Sequence, residues 1–328
     1  MERSCRVGVF GVGHLGSIHA RLLSEIALAD LVGLYDVEVE KASKLGQELG
    51  VRAFSKPGDL LREIDVAIIA ASTKAHYELA LAAAESNVNL FIEKPLADTA
   101  DRARKILMRC AQASLKLGVG HIERFNRAVR AIEGTRIAPK FIEVHRLAAF
   151  TLRGADVAVV HDLMIHDLDL ILHWVKAPIK RVDASGVAVI SDTPDIANAR
   201  IAFEDGCVAN VTASRISRHK MRRMRLFQED AYISLDFLEG KAEVYRLDSP
   251  GETGVPAIEL GQIEKASQPR KILYQQPRAP QANALKLELE GFLRAVIEDE
   301  PVPVSGEDGV RALELAREIL SQIENSQV

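Results

Sequence analysis

The feature that most constrains the fold is a G-x-G-x-x-G match at residues 11–16, directly after a short β-rich run at residues 7–10. The match opens a predicted helix over residues 17–29. In that setting Gly11 permits a tight turn, Gly13 lets a pyrophosphate approach the backbone, and Gly16 lets the helix pack closely on the strand. The N-terminus of the helix offers free N–H groups to phosphates. We expect these residues to contact a dinucleotide: Gly11, Gly13, His14, Leu15 and Gly16.

Asp36 ends the second predicted strand, residues 31–35, about twenty residues after Gly16. A carboxylate at this place accepts hydrogen bonds from the ribose hydroxyls of adenosine and repels the 2′-phosphate of NADP. Residues 37–40, Val-Glu-Val-Glu, offer no Arg that could neutralise such a phosphate. The sequence therefore predicts NAD as the cofactor rather than NADP. A helix N-cap is the alternative role for Asp36.

The pattern of strands and helices predicts an α/β protein with two domains. Up to residue 120, near-continuous apolar strands such as 65–71 alternate with helices, which favours a parallel sheet covered on both faces, a Rossmann fold. After a helix predicted over 157–175, short alternating strands favour an open, mostly antiparallel sheet backed by helices on one face. We expect a Rossmann dinucleotide-binding domain at 1–122 and a substrate-binding and oligomerisation α/β domain at 123–328. The Pro-rich stretch 248–283 is expected to be a long loop or arm.

Composition argues against several classes of protein. A formal net charge of −4 gives no reason to expect nucleic acid or an anionic membrane as a partner. No run approaches the ~18 apolar residues of a membrane span, and no signal peptide is recognisable. The three cysteines, Cys5, Cys110 and Cys207, lie far apart and predict neither disulfides nor a zinc site. We expect a cytoplasmic protein without a metal.

The segment 161–174 is largely apolar but carries Asp162, His166, Asp169 and His173 at helical spacing. On one continuous helix they would form a polar stripe, which is costly on a buried helix unless it is paired or faces a cleft. The spacing therefore predicts an active-site face. Histidine is a natural base for removing the proton of a secondary alcohol, and Asp162 could orient its ring. A satisfied buried pair and a hydrolase-like metal site are the alternatives.

The tripeptide Glu93-Lys94-Pro95, after a strand predicted at 88–92, resembles the Gfo/Idh/MocA oxidoreductase family when taken with the glycine fingerprint. Similar segments also occur at 72–76, 121–126, 162–166 and 303–309, so the likeness covers essentially the whole chain. The resemblance implies hydride transfer between NAD(P) and a sugar or cyclitol hydroxyl. It also implies a homodimer or homotetramer formed through the C-terminal sheet.

The same resemblance implies roles for individual residues. The catalytic residues would be Lys94, Asp162 and His166. Further cofactor contacts would come from Ser72, Thr73, His76, Glu93 and Lys94. Substrate contacts would come from Lys94, Arg124, Asn126, Arg153, His166 and Arg215. Met164 stands where the family often has Gly, so its bulk is expected to reshape the pocket.

Residues 214–225 contain six Lys or Arg residues in a stretch of twelve. This run is either a solvated hairpin or interface, or a clamp for the phosphates of a nucleotide-diphosphate sugar, since Arg suits bidentate phosphate contacts. The surrounding sequence resembles the branch of the family that oxidises UDP-N-acetylglucosamine at its 3-position, a step toward lipid A. An inositol or free-sugar dehydrogenase and a non-catalytic NAD-binding sensor are the alternatives.

Overall fold

The computed structural model describes residues 3–150, 157–248, 256–265 and 268–325. The α-helices are α1 (His14–Leu23), α2 (Val39–Leu49), α3 (Pro57–Leu61), α4 (Thr73–Glu85), α5 (Ala100–Gln112), α6 (Arg127–Arg130), α7 (Ile165–Trp174), α8 (Ala284–Ile297) and α9 (Gly306–Asn325). The strands are β1 (Cys5–Phe10), β2 (Ala29–Tyr35), β3 (Arg52–Phe54), β4 (Val66–Ile69), β5 (Asn89–Glu93), β6 (Leu117–Gly120), β7 (Phe141–Leu147), β8 (Ile179–Val187), β9 (Ile196–Phe203), β10 (Val208–Ser214), β11 (Met221–Phe227), β12 (Ala231–Asp236), β13 (Lys241–Leu247), β14 (Ile258–Lys265) and β15 (Gln268–Gln275). A 3₁₀ turn covers Ile122–Phe125, and a π-helical turn covers Val160–Met164.

The chain divides into two compact units. The first consists of Met1–Ile122 and Ala282–Glu314, and the second of Glu123–Gln281 and Leu315–Val328. Assigning all of 123–328 to one domain is therefore wrong for the segment 282–314. The reason is hydrophobic: Leu289, Phe292 and Leu293 of α8 are buried in the same core as the strands of the first unit.

The first unit is built on a parallel sheet with strand order β3-β2-β1-β4-β5-β6. The four residues of β4, Val66–Ile69, are all buried, as expected of a strand covered on both faces. The sequence pattern predicts β1, β2, β4, β5 and β6, and the structure confirms this Rossmann-type sheet. Strand β3 and helix α3 were not anticipated, because three and five residues are too few to display a period.

The second unit is built on an open, mostly antiparallel sheet with strand order β14-β15-β13-β12-β11-β7-β10-β9-β8. Among the described strands of this second sheet, only β7 and β10 pair in parallel, and the other neighbouring strands pair antiparallel. Alternate residues such as Val144 and Leu226 lie in a core shared with α7 and the last turns of α9, so one face of the sheet is covered by helices. The predicted α+β organisation of this part is confirmed.

The expectation of a long loop over 248–283 is wrong, because β14 and β15 form an antiparallel pair within it. The prolines obscured the strand pattern. Pro269 is tolerated because it falls in the part of β15 that pairs with β14 and not with β13, where the described ladder begins at Ile272. The stretch therefore extends the sheet at one edge.

Candidate active site

The glycine loop between β1 and α1 has the geometry that a dinucleotide requires. Gly11 has a φ of +87°, and a Cβ on it would lie 2.4 Å from the Cα of Ala71. A Cβ on Gly16 would lie 1.8 Å from the carbonyl oxygen of Gly11, so the helix packs against the turn with no room for a side chain. Gly13 meets nothing within 4 Å, which leaves open space at the start of α1. Exposed His14 and half-buried Leu15 begin that helix.

Asp36 follows β2, and its carboxylate is hydrogen-bonded to the backbone of the glycine loop. Its carboxylate accepts hydrogen bonds from the backbone N–H of Val12 at 2.7 Å and of Glu38 at 2.8 Å. The N-cap residue of α2 is Glu38, so the alternative role of Asp36 as a helix N-cap is wrong. Each carboxylate oxygen has a second lone pair, and the half-buried side chain can accept hydroxyl donors as well.

Helix α4 begins at Thr73, with Ser72 exposed at its N-cap position. Four residues into this helix, His76 is almost completely buried, with Nδ1 3.0 Å from the carbonyl oxygen of Pro95 and Nε2 3.1 Å from that of Ala71. Burial lowers the pKa of His76, although both carbonyl groups act to raise it. Both ring nitrogens face the protein backbone, and the expected contact of His76 with the cofactor stays a prediction.

Glu93, Lys94 and Pro95 follow the buried strand β5, and the Lys94–Pro95 peptide bond is cis. Lys94 is half-buried. Glu93 is buried, and its carboxylate contacts His19 and accepts the backbone N–H of Lys94. Glu93 therefore bonds to the backbone of the lysine, and its expected contact with the cofactor stays a prediction. His19 was missed by sequence reasoning, because nothing distinguishes one histidine in an amphipathic helix.

In the second unit, Asp162 lies in the π-helical turn and His166 lies one residue inside α7. Both side chains are half-buried. The π turn introduces an i→i−5 bond, from the N–H of Ile165 to the carbonyl of Val160, so the segment is not one uniform α-helix. π turns are frequent at functional sites. Met164, in the same turn, is completely buried in the hydrophobic core of the second unit, and its expected effect on the pocket stays a prediction.

Asp169 and His173, the other half of the predicted stripe, face a different partner. The guanidinium of Arg124 donates from Nε and Nη2 to the two carboxylate oxygens of Asp169 at 2.6 and 2.7 Å, and its Nη1 lies 2.6 Å from Nδ1 of His173. This bidentate pair is almost fully buried. The stripe is therefore divided, and Arg124 is bonded to α7, while its expected contact with the substrate stays a prediction.

Asn126 is likewise committed to the protein. Its Oδ1 accepts the backbone N–H of Ala128 and caps α6, and its Nδ2 donates to Glu123 and to the carbonyl of Phe237. The Nδ2 amide is thus occupied, while Oδ1 keeps a second lone pair, and the expected substrate contact of Asn126 stays a prediction.

Arg146 forms a buried ion network that sequence reasoning also missed. It donates from Nε and Nη2 to both carboxylate oxygens of Asp167, next to His166, and from Nη1 to Glu123. Burial acts to lower the pKa of Arg146, but the carboxylates of Asp167 and Glu123 overcome it and raise that pKa. The helix directly after His166 is thus held by two buried charge pairs, Asp167 with Arg146 and Asp169 with Arg124.

Arg215 is buried and is part of another ion pair, and its expected contact with the substrate stays a prediction. Its Nε donates to Asp195 at 2.8 Å, and its Nη2 donates to Ser191 and Thr193. Its Nη1 donates to the carbonyl of Val157, three residues before the π turn. Burial acts to raise the pKa of Asp195, but the N–H groups of Ile190 and Val189 and the Arg215 guanidinium together lower it below its usual value.

The basic run at 214–225 separates into paired and unpaired residues. The strand residues Arg222, Arg223 and Arg225 lie against carboxylates at distances of 3.7, 3.1 and 2.8 Å, respectively. Arg218 and Lys220, in the turn between β10 and β11, are exposed and form no ion pair within the described part of the chain. Arg153, the remaining expected substrate contact, lies outside the described residues.

Three further observations concern the cysteine thiols, metal binding and membrane-spanning helices. The cysteines Cys5, Cys110 and Cys207 are free and buried, and burial raises the pKa of each thiol to about 11. The residues that the structure describes contain no group of three or more His, Cys, Asp and Glu side chains able to hold a metal ion. Within the same residues, no helix has the length and apolar character needed to cross a membrane.

Comparison with known proteins matches the architecture described above. The UDP-N-acetylglucosamine 3-dehydrogenase of Acidithiobacillus ferrooxidans is 35% identical over 97% of this chain and 97% of its own. A solved structure of that enzyme has a TM-score of 0.87 and 34% identity, and covers 98% of each chain. The myo-inositol 2-dehydrogenase of Thermotoga maritima is 26% identical over 94% of this chain and 93% of its own.

The two halves of the chain also match two parts of one protein family. Residues 5–121 match its NAD-binding part, described as "Oxidoreductase family, NAD-binding Rossmann fold". Residues 129–234 match the GFO/IDH/MocA C-terminal domain. With two units built in this way, the chain belongs to the GFO/IDH/MocA family of NAD-binding oxidoreductases.

Proposed function

We propose that this protein is an NAD-dependent dehydrogenase that oxidises UDP-N-acetylglucosamine to its 3-keto form. The full-length similarity to a UDP-N-acetylglucosamine 3-dehydrogenase carries this proposal. The retained Lys94, Asp162 and His166 support a catalytic role over that of a sensor that only binds NAD. The product would be a 3-keto nucleotide sugar, which is suited to amination on the way to lipid A.

The residues of the first unit fit a bound dinucleotide. The open space at Gly13 and the N–H groups at the start of α1 suit a pyrophosphate, and Ser72 and Thr73 at the start of α4 are accessible to the cofactor. When bound, NAD supplies the hydride acceptor. Asp36 would accept hydrogen bonds from the adenosine ribose, and we propose NAD over NADP for this reason.

The chain's own side chains would handle the proton and the developing charge. His166 would take the proton of the sugar hydroxyl as general base, and Asp162 would orient the imidazole and stabilise its charged form. Lys94 would donate a hydrogen bond to the same oxygen as negative charge develops on it. Each of the three side chains is half-buried within its own unit, so each remains accessible to a ligand.

We further propose that the phosphates of the substrate are bound by Arg218 and Lys220, and not by Arg215. The hydrogen bonds at the ends of strands β7 and β10 support this proposal. The N–H of Ala148, after β7, bonds to the carbonyl of Ser214, and Arg215 holds Val157 just before the π turn. The basic turn therefore lies at the same end of the sheet as the segment that leads to Asp162. Unpaired exposed cations can contact phosphate without breaking an existing ion pair.

The decisive experiment measures NADH formation with UDP-N-acetylglucosamine, UDP-glucose, myo-inositol and glucose, in the wild type and in Lys94→Ala and His166→Ala. We expect turnover with UDP-N-acetylglucosamine, reduced about 10²- to 10⁴-fold in each variant. Turnover with inositol or glucose alone would reject the nucleotide-sugar assignment. Binding of NAD without turnover of any substrate would favour the sensor.

Two companion substitutions test the assigned specificities. Replacing Asp36 with Asn is expected to weaken NAD binding and to reduce the preference for NAD over NADP by about tenfold or more, since one charge repulsion of about 1.4 kcal/mol is removed.

The double substitution Arg218→Ser and Lys220→Ser removes the two cations proposed to bind the phosphates. It is expected to raise KM for the UDP-sugar and to leave kcat almost unchanged. Lys180→Ser, at an exposed position on β8, is the control.

An inositol dehydrogenase is the second candidate, favoured by the similarity to the Thermotoga maritima enzyme.

We also propose a homo-oligomer that forms through the open face of the second unit's sheet. A row of cross-strand aromatic rings supports this, with neighbouring centroids 4.7–5.8 Å apart: Phe141, Phe227, Tyr232, Tyr245 and Tyr274. A cytoplasmic location is proposed as well, supported by three free thiols of the kind a reducing compartment maintains.

A further inference from the structure

His19 is a buried histidine that the proposed chemistry does not use. It lies on α1, three residues after Gly16, and is completely buried. Its Nε2 lies 2.7 Å from Oε1 of Glu93, while its Nδ1 has no hydrogen-bond partner among the described residues. Because a carboxylate can only accept, the Nε2–H donates to Glu93. A buried polar ring with one directional bond is costly to keep and calls for a specific use.

The carboxylate of Glu93 connects the His19 ring to Lys94, because its second oxygen bonds to the backbone of the lysine. Its Oε2 accepts the backbone N–H of Lys94 at 3.3 Å. On the adjacent strand, a Cβ on Gly120 would lie only 2.8 Å from the same oxygen, so the carboxylate occupies the space that a side chain would otherwise fill. Glu93 is therefore fixed by the His19 ring, the backbone of Lys94 and the surface of β6.

His76 holds the other side of Lys94. Its Nδ1 lies 3.0 Å from the carbonyl of Pro95, and its Nε2 lies 3.1 Å from the carbonyl of Ala71. Ala71 in turn lies against the glycine loop, where a Cβ on Gly11 would be 2.4 Å from its Cα. The residues before and after Lys94 are thus bound to histidines on α1 and α4, the two helices whose N-termini face the proposed cofactor.

We propose that His19 and His76 are positioning residues for Lys94. Together they tie the backbone of the lysine to the two helices that would hold the dinucleotide, so that its ammonium is placed at a fixed distance from the bound cofactor. This inference rests on the proposed catalytic role of Lys94. It assigns a purpose to two buried imidazoles of the first unit.

The first test compares three variants of α1. His19→Ala removes the ring, His19→Gln places an amide N–H at about the reach of Nε2, and Leu23→Ala opens a cavity in the same helix without touching a polar group. We expect kcat/KM to fall about 100-fold in His19→Ala and to recover largely in His19→Gln. Leu23→Ala should lower the melting temperature and leave kcat unchanged. The dissociation constant for NADH should stay within about threefold in all three.

The second test does not depend on the identity of the substrate. Lysines are reductively methylated with ¹³C-formaldehyde, and the NMR signal of Lys94 is identified by its absence in Lys94→Arg. We expect the chemical shift and the titration midpoint of this signal to change in His19→Ala and His76→Ala but not in Leu23→Ala. An unchanged signal would overturn the proposal, as would a loss of kcat/KM no larger than in Leu23→Ala. If no sugar is oxidised by the wild type, the proposed function fails while this measurement still decides the positioning role.

Discussion

Gly13 and Gly16 stand three residues apart and meet opposite surroundings. At Gly13 an added Cβ would find no atom within 4 Å, and its φ of −62° is one that any residue adopts. At Gly16 the same atom would lie 1.8 Å from the carbonyl of Gly11. The first glycine leaves room for a ligand, and the second leaves room for the protein chain. Two residues that look alike in the sequence therefore have separable roles.

Alanine substitutions should separate these roles. Gly13→Ala is expected to change the free energy of unfolding by less than about 0.5 kcal/mol and to weaken NADH binding, because a methyl group enters the space for the pyrophosphate. Gly16→Ala is expected to lose about 1–3 kcal/mol of stability through overpacking. Urea unfolding and NADH fluorescence titration measure the two effects. Equal loss of stability in both variants would contradict this assignment.

His76 makes the stability of the first unit depend on pH. A histidine in the unfolded chain titrates near 6.5, and burial lowers the pKa of His76 in the folded protein. Below pH 6.5 the unfolded chain therefore takes up a proton that the folded chain does not. The stability is complete above pH 6.5 and decreases on acidification toward the folded pKa, by up to about 1.4 kcal/mol per pH unit.

Substitution of this histidine should flatten that dependence. In His76→Gln, the free energy of unfolding is expected to change less with pH than in the wild type between about pH 7 and about pH 5. Urea unfolding at several pH values measures the slope directly. A matched substitution of the exposed His219 by Gln should leave the slope as it is in the wild type. Identical slopes in wild type and His76→Gln would reject a titration of His76.

At the scale of elements, the segment that carries Asp162 is held at its start by the Arg215–Asp195 pair. Asp195 accepts hydrogen bonds from three consecutive backbone N–H groups, those of residues 189–191, and from the buried Arg215. Arg215 bonds to the carbonyl of Val157. The ion pair therefore joins the turn before β9, the end of β10 and the approach to the π turn.

Asp195→Asn should be one of the most damaging substitutions in the second unit. It removes the carboxylate charge that faces the buried guanidinium of Arg215, and breaking one side of a buried ion pair costs roughly 3–5 kcal/mol. The exposed pair Arg181–Asp183 on β8 offers a matched control, and Asp183→Asn should cost less than about 1 kcal/mol. Urea unfolding compares the two. A similar small loss in both would show that burial does not decide the contribution of this pair.

Local pattern predicted more of the fold than of the site. The glycine loop, Asp36 and the strands β1, β2 and β4 could be predicted because their spacing is set by local geometry. The polar stripe could not be divided correctly, since the partner of Asp169, Arg124, lies 45 residues away. The ion pair of Arg215 with Asp195, 20 residues away, could not be predicted for the same reason. Whether a charge faces solvent or a buried partner depends on tertiary contacts, which no local period records.

At the scale of the whole molecule, the proposed oligomer interface predicts a measurable mass. Tyr245 lies inside the aromatic row, between Tyr232 and Tyr274, on the sheet face opposite the core. Tyr245→Lys places a charge in this row and is expected to shift the protein toward the monomer in sedimentation experiments. Glu40→Lys on α2 of the first unit is the control. A wild-type protein that sediments as a monomer would contradict the proposed interface.

The return of the chain to the first unit has a consequence for synthesis on the ribosome. The nucleotide-binding unit needs α8, whose Phe292 contacts Phe91 at a centroid distance of 5.5 Å, and α8 is made long after β6. The second unit in turn lacks Ile319 and Ile323 of its core until α9 is almost complete. Neither unit can close its core early during translation. Both units therefore complete their cores only after α8 and α9 have been made, although most of their strands come much earlier in the chain.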